Sequence, residues 1–429
     1  MANRPGGAGV GCRGRLPTVI GPVVACCVCL LAGSVTASAV AWRLSGEVVD
    51  YLGLTDLQQR WLVGDRWQFD DQSAARVKTE LAGGGWIRLQ MEYRVQVEWG
   101  DSIRHRRVAG FGGLTGEPVN ERFMDLEAVL DEDGNYLLRH DLDRLWMAFH
   151  TGLFDLSIGR RALSWGSGYT WTPVDLINPF SPTAFERDIK PGTDMVLLEL
   201  PLGDLAEAAL VGKPVRDEDH EFRAGRSALL GRVRFNAGGV DCAVMGGKNR
   251  ADSVAGLTLT GTLGGAGIWC EAAWTDPPGA DPFVRAVAGG SYMFSGAVAV
   301  TGEYHYSSIG AGRRAEYIGQ LLDDDLAARF QRGELYNLGR HYLSAAVEYE
   351  LTPLMGISVS GIVNLQDGSF FVGPHVQRSL WQDVQVDVFA GVTTGSKNSE
   401  YGSLDLSPLG ITKFLPNPDF FQVKLAYYW

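Results

Sequence analysis

Residues 86–99 read WIRLQMEYRVQVEW, and apolar side chains alternate strictly with polar ones. The polar positions of this stretch are Arg88, Gln90, Glu92, Arg94, Gln96 and Glu98. A period of two is typical of a β-strand with two different faces, and this stretch would extend over about 45 Å. Strands of soluble sandwiches average about five or six residues, whereas tilted membrane strands need about 9–11. The length of the alternation therefore predicts a strand of a transmembrane β-barrel.

The same alternation recurs along the chain. It is seen at 196–200, 298–306 and 384–390, and aromatic residues stand near the ends of the segments, as interfacial girdles require. From Ser73 onward we count about seventeen strand candidates, and Trp42 to Tyr51 would supply another, with 52–72 as its outer loop. The pattern predicts an all-β protein, a transmembrane antiparallel up-and-down β-barrel of about 18 strands, with 16 as the alternative.

Turns between these segments alternate between short and long. Short turns are predicted near 83–85, 151–152, 201–204, 237–239, 263–266, 295–296, 351–354 and 380–383. Longer connections are predicted at 100–139, 166–190, 213–225, 307–339 and 394–417. Short periplasmic turns and long extracellular loops are typical of outer-membrane barrels.

The chain ends on an alternating strand with the apolar residues Phe421, Val423, Leu425, Tyr427 and Trp429. This ending resembles the C-terminal signal that the barrel-assembly machinery reads in outer-membrane proteins. The alternative is the edge strand of a soluble domain, which would favour aggregation unless it paired with another strand.

The first 39 residues are predicted to be a secretory signal peptide. Arg4, Arg13 and Arg15 precede the apolar stretch 16–32, and Ala37-Ser38-Ala39 is a cleavage site of the A-x-A type. The alternative is a membrane anchor, but Pro17, Gly21 and Pro22 interrupt a short apolar core. Residues 40–429 are then a single barrel domain in the bacterial outer membrane.

Cleavage leaves two cysteines and an acidic chain. Cys242 and Cys270 are predicted on non-adjacent strands of the apolar face, as free thiols. Loss of three arginines changes the net charge from −12 to −15. Such a charge argues against binding of nucleic acid, whose phosphates would repel the protein. The expected partners are outer-membrane lipid and lipopolysaccharide, and a homo-oligomer is an open alternative.

Two groups of motifs resemble those of a poorly characterised family of proteobacterial outer-membrane porin-like barrels. One group is IGRRALSWGSG at 158–168 followed by PVDLINP at 173–179; the other is LTP at 351–353 followed by NLQDGS at 364–369. The resemblance covers roughly 140–429. It implies a barrel and a pore-like role, but no substrate.

The 166–190 loop is the predicted constriction, because a long loop stiffened by proline and aromatic residues can fold into the lumen. Its charged residues Glu186, Arg187, Asp188 and Lys190 would then select permeants. The alternative is a loop on the outer rim. Of the adjacent pair Arg160 and Arg161, alternation predicts Arg161 inward and Arg160 near the lipid headgroups.

Charged residues on the polar faces of the predicted strands are expected to line the pore. They either select permeants or merely hydrate the wall, and they are Arg88, Glu92, Arg94, Glu98, Arg161, Glu199, Glu271 and Glu303. A helix is predicted within an outer loop at 315–332, as a plug or a surface helix. The charged tip at 216–221 could bind calcium or simply be solvated.

The local sequence contains no motif for a nucleophile, a metal site or a cofactor. We therefore expect no enzyme, no catalytic residues, no metal and no cofactor. The preferred function is a porin or channel for passive diffusion of small solutes or ions, with a weak preference for cations. One alternative is a structural or partner barrel, which would sheathe an export or electron-transfer assembly or bind a surface polysaccharide. The other is a hydrolase at the outer rim.

Overall fold

The computed structural model describes residues 40–58, 66–103, 122–179, 190–217, 219–406 and 414–429, and for 414–416 it describes the backbone alone. The signal peptide predicted for 1–39 lies outside these residues. Among the described helices, none combines the length and apolar character that a membrane crossing requires.

The described strands form one 19-stranded antiparallel sheet and a separate two-stranded sheet. In chain order they are β1 (Ala41–Asp56), β2 (Trp67–Gly83), β3 (Ile87–Gly100), β4 (Glu127–Asp133), β5 (Tyr136–His150), β6 (Asp155–Arg161), β7 (Thr193–Pro201), β8 (Ala206–Lys213), β9 (Ala228–Ala237), β10 (Val240–Asn249), β11 (Asp252–Leu263), β12 (Ala266–Asp276), β13 (Phe283–Phe294), β14 (Val298–Ser307), β15 (His341–Thr352), β16 (Met355–Asn364), β17 (Phe370–Trp381), β18 (Val384–Thr394), β19 (Ser403–Asp405), β20 (Phe414–Pro416) and β21 (Asp419–Tyr428).

The large sheet closes into a barrel, because β1 pairs with both β2 and the C-terminal strand β21. Without β4, which pairs with β5 alone, the closed ring has 18 strands, and the predicted fold class is confirmed. At the seam, the Gly46 amide donates to the Trp429 carbonyl at 2.9 Å and the Trp429 amide donates back at 3.0 Å. No strand edge is left open at this seam, as a membrane barrel requires.

The alternation seen in the sequence corresponds to the two faces of the wall. On β12, for example, Ile268 and Trp274 are exposed on the outside, whereas Glu271 points inward and is fully buried. Cys242 and Cys270 lie on the outer face of β10 and β12 and are free thiols, as predicted. An apolar outer face and a polar interior are what a bilayer around a hydrated lumen demands.

Short turns lie at the barrel end where β1 begins and β21 ends, and a hairpin connection is confirmed at each predicted short turn. Two predicted connections were wrong. The loop predicted at 52–72 is restricted to 57–66, because β1 continues to Asp56 and β2 begins at Trp67. The connection predicted at 100–139 contains β4, which forms a hairpin with the first half of β5, from Tyr136 to Asp141.

The helix predicted at 315–332 is two helices, α1 (Tyr317–Leu322) and α2 (Asp324–Gln331). The break falls at Asp323, whose extended backbone ends α1. The Asp323 carboxylate caps α2 by accepting hydrogen bonds from the Asp325 and Leu326 amides. A good N-cap inside the predicted helix is therefore the reason for the interruption.

A candidate constriction of the lumen

The connection between β6 and β7 folds into the barrel over residues 162–179, which we call the lumen loop. Its apolar residues Trp165, Val174 and Ile177 are buried in one cluster with Leu197 and Leu230 of the barrel wall. Such burial inside a barrel means that the lumen loop occupies part of the lumen.

Two wall carboxylates hold the tip of the lumen loop. Glu271 of β12 accepts hydrogen bonds from the backbone amides of Ser167 and Gly168. Glu303 of β14 accepts from the amides of the next three residues, with distances of 2.8 Å to Tyr169, 3.1 Å to Thr170 and 2.9 Å to Trp171. Five consecutive backbone donors are thus satisfied by two charged acceptors, an arrangement that fixes the position of the loop backbone.

The intervening strand β13 leaves room for a further contact to Glu303. Gly289 pairs with Trp269 on one side and with Glu303 on the other. A Cβ atom at Gly289 would lie 2.7 Å from the Trp269 ring. Because that atom is missing, the Trp269 indole reaches across β13 and its Nε1 donates to Glu303 at 2.7 Å.

An ion pair braces the base of the lumen loop. Lys190, just before β7, contacts the Asp175 carboxylate and also donates to the Leu163 carbonyl at 2.7 Å. Burial raises the pKa of Asp175 and lowers that of Lys190, while each charge favours the charged form of its partner. Through these contacts Lys190, at the end of the connection, is bound both to its start at Leu163 and to its middle at Asp175.

The lumen loop also contacts the outer loop between β14 and β15. The Trp171 indole donates to the Asn337 side chain of that loop at 2.6 Å, and the Thr170 hydroxyl lies 2.7 Å from that of Ser344 on the adjoining strand β15. Arg285 of β13 donates to the carbonyls of Glu334 and Pro173, one in each loop. These contacts join the lumen loop to the extracellular side of the barrel.

A buried carboxylate, Glu400, lies where the outer loops meet. It accepts hydrogen bonds from the Leu338 amide at 2.9 Å, from Asn364 at 2.8 Å and from the Tyr342 hydroxyl. Burial, with a smaller contribution from the nearby Asp367 carboxylate, raises the pKa of Glu400, and although these hydrogen bonds lower it, the resulting pKa is about 7. The connections after β14, β16 and β18 therefore share one hydrogen-bonded centre.

The wall formed by β2, β3 and β5 carries charged pairs on its inner face. Arg94 pairs with Asp141 at 2.9 Å, and Arg139 pairs with Glu98 at 2.9 Å. The inward charges on these strands are therefore largely compensated. We call this surface the charged wall.

Nine of the predicted lumen residues fall into three groups. Arg88, Glu92, Arg94 and Glu98 point inward on β3, where Arg88 is the most exposed. Glu271 and Glu303 also point inward but lie beneath the lumen loop. Residues Glu186, Arg187 and Asp188 lie outside the described residues.

Arg161 points inward, where it donates to the Ser157 hydroxyl and lies over the Trp146 ring. Glu199 is half-buried in β7 and close enough to influence Arg161 electrostatically. The expectation for Arg160 was wrong. This side chain is fully buried in an ion pair with Asp194 at 2.9 Å, beneath the segment that carries Phe123 and Met124, whose amides also donate to Asp194.

Several site residues were not anticipated from the sequence. Asp175, Asn337 and Glu400 lie in loops without any periodic pattern, and the partners of Asn337 and Glu400 are distant in the chain. A signal was present only for Asp175, which stands in the quoted PVDLINP motif. At the charged tip near 216–221, Asp217 accepts hydrogen bonds from the Asp219 and Glu221 amides. The described residues contain no group of three His, Cys, Asp or Glu side chains arranged to hold a metal ion.

Comparison with solved structures identifies outer-membrane porins of similar fold. OccD3 of Pseudomonas aeruginosa has a TM-score of 0.51 at 9% identity, covering 92% of this chain and 93% of the porin. OccK3 of the same organism has a TM-score of 0.52 at 9% identity, covering 90% and 95%. OccAB3 of Acinetobacter baumannii has a TM-score of 0.54 at 8% identity, covering 90% and 99%.

Identities this low establish the fold of an outer-membrane porin and nothing finer. No family model matches the chain, and no curated protein matches it. The motif resemblance to one particular porin-like family stays a prediction.

Proposed function

We propose that this protein is an outer-membrane channel through which small solutes or ions diffuse, and that the lumen loop sets the width of the passage. The observation that carries the proposal is that Glu271 and Glu303 accept hydrogen bonds from five successive backbone amides of that loop inside a closed barrel. A loop fixed in this way gives a passage of constant width.

The passage is proposed between the lumen loop and the charged wall. Inward charges such as Lys78 and Arg88 keep about a third to a half of their side-chain surface exposed, so they can contact permeants. Opposed charges across a narrow section create a transverse field that filters permeants by charge as well as by size.

Planar-bilayer recording tests this function. Purified, folded protein should produce discrete conductance steps, and liposome swelling should show a sharp upper limit on the size of permeant sugars. Reversal potentials in a salt gradient would measure ion preference, for which the acidic composition favours cations weakly. Folded protein that yields no conductance steps at any voltage would refute the channel.

A second candidate is the partner barrel, favoured by the interlocking of the outer loops around Glu400. In that case the lumen would stay closed in the isolated protein. A stable protein or glycan that co-purifies with the barrel, together with steps that appear only after its removal, would support this function over the channel.

Membrane assembly is proposed to depend on the C-terminal strand, whose Phe421, Val423, Leu425 and Tyr427 point outward and whose Trp429 meets the first strand. The barrel-assembly machinery, surrounding lipid and lipopolysaccharide are the proposed partners. Cross-linking in intact cells would test them, and native mass spectrometry would test a homo-oligomer.

A further inference from the structure

A small, partly enclosed cavity of about 30 Å³ lies between the lumen loop, the inner faces of β13 and β14, and the outer-loop segment 333–337. Residues from all of these elements line it, including Trp171, Arg285, His305 and Tyr336. A cavity of this size accommodates one monatomic ion or one to two water molecules, since a water needs about 10–15 Å³.

Arg285 differs from every other buried arginine of the described chain. Five arginines have less than a tenth of their surface exposed. Four of them pair with a carboxylate, and the pairs are Arg76–Glu47, Arg144–Asp143, Arg160–Asp194 and Arg329–Asp252. Arg285 donates only to two backbone carbonyls and makes no ion pair with a described residue.

A charge buried without a counter-charge is costly, so a guanidinium in this position calls for an anionic partner. The two acids that line the cavity already have cationic partners. Asp175 pairs with Lys190, and Glu334 pairs with Arg329 and Arg332. Asp252 and Asp325 also pair with Arg329. Glu334 acts on Arg285 electrostatically, but its carboxylate makes no ion pair with Arg285.

Further donors are available beside Arg285. The Arg285 Nε, His305 Nδ1 and Tyr336 hydroxyl are all buried and have no hydrogen-bond partner within the described protein. Each can donate a hydrogen into the cavity, His305 in the tautomer protonated at Nδ1. Three unpaired donors on residues that line one cavity, one of them on a guanidinium that makes no ion pair with a described residue, form a site suited to a small anion.

We propose that this cavity binds a monovalent, monatomic anion of the halide class, held by Arg285, His305 and Tyr336. Its volume is too small for sulfate or phosphate. The bound anion joins the lumen loop to the outer loop at the Trp171 contact. The site does not depend on whether the barrel conducts.

Anomalous diffraction from crystals grown in sodium bromide tests the site directly. The expected result is a bromine peak within hydrogen-bonding distance of Arg285 Nε. Density at that position without anomalous signal, refined as water, would overturn the proposal.

Thermal unfolding gives a second measurement, in sodium bromide against sodium gluconate at equal ionic strength. Above the dissociation constant, a tenfold rise in bromide should favour the folded state about tenfold. Arg285→Gln should abolish this bromide dependence. If that variant fails to fold, Tyr336→Phe removes one neutral donor and should weaken bromide binding by about threefold to tenfold.

Arg234→Gln is the matched control, because Arg234 pairs with Glu207 near the short-turn end of the barrel and does not line the cavity. Its bromide dependence should equal that of the parent protein. Stabilisation that begins at the same bromide concentration in the Tyr336→Phe and control variants, or no stabilisation in the parent, would contradict an anion at this site.

Discussion

The anchoring of the lumen loop by Glu303 gives the sharpest prediction, through the substitution Glu303→Gln. One carboxylate oxygen accepts from the Thr170 and Trp171 amides, and the other accepts from the Tyr169 amide and the Trp269 indole. An amide group keeps one acceptor oxygen and replaces the other by a donor. Whichever way the new side chain turns, two of the four hydrogen bonds are lost.

The size of the effect follows from those two bonds. A hydrogen bond to a charged group contributes about 1.5–3 kcal/mol, so the loss is about 3 kcal/mol or more before water replaces part of it. Three kcal/mol corresponds to a change of about 100-fold in the ratio of docked to released loop. Because Trp165, Val174 and Ile177 still hold the base of the loop, release should be confined to the tip.

Single-channel recording of Glu303→Gln should then show rapid flicker and several conductance levels in place of one. The sharp sugar cut-off in liposome swelling should also broaden. Glu207→Gln is the matched control, because it removes the same charge near the short-turn end, where Glu207 pairs with Arg234. A folded Glu303→Gln barrel with the same noise, conductance and cut-off as the parent would refute the role of Glu303 in positioning the loop.

Three further predictions concern stability and closure. Gly46→Val should prevent closure of the barrel between β1 and β21, because a Cβ at this position collides with the Trp429 ring. Heat-modifiable migration in gel electrophoresis should then be lost, and a variant that keeps it would contradict this prediction. The pKa of Glu400 is about 7 in the folded protein, above its ordinary 4.5, so protonated Glu400 stabilises the outer-loop cluster. Resistance of this cluster to proteolysis should be greatest below pH 4.5 and should fall as the pH rises to 7, with a loss of at most about 3 kcal/mol of stability. Glu400→Gln should remove this pH dependence. Asp194→Asn leaves the buried Arg160 unpaired and should lower the free energy of unfolding by about 3–5 kcal/mol in urea titrations, and replacing both residues with apolar ones should restore much of it.

The sequence by itself determined the architecture of the wall. Side-chain direction in a strand alternates with every residue, so the pattern at 86–99 predicts both the strand and the face that lipid covers. Short turns fixed the number and direction of the hairpins, and the last strand pointed to closure. All of these properties are local, so they can be predicted without knowing which distant residues are in contact.

The tertiary structure alone decided what fills the lumen. Glu303 follows its loop partners by more than 130 residues, and nothing in either segment specifies the other. The same holds for Arg160, where strand alternation places the side chain on the outer face but a crossing segment buries it with Asp194. Alternation tells which way a side chain points, whereas its partners depend on which loops the closed ring brings together. The wall was therefore predictable from local pattern, and the constriction was not.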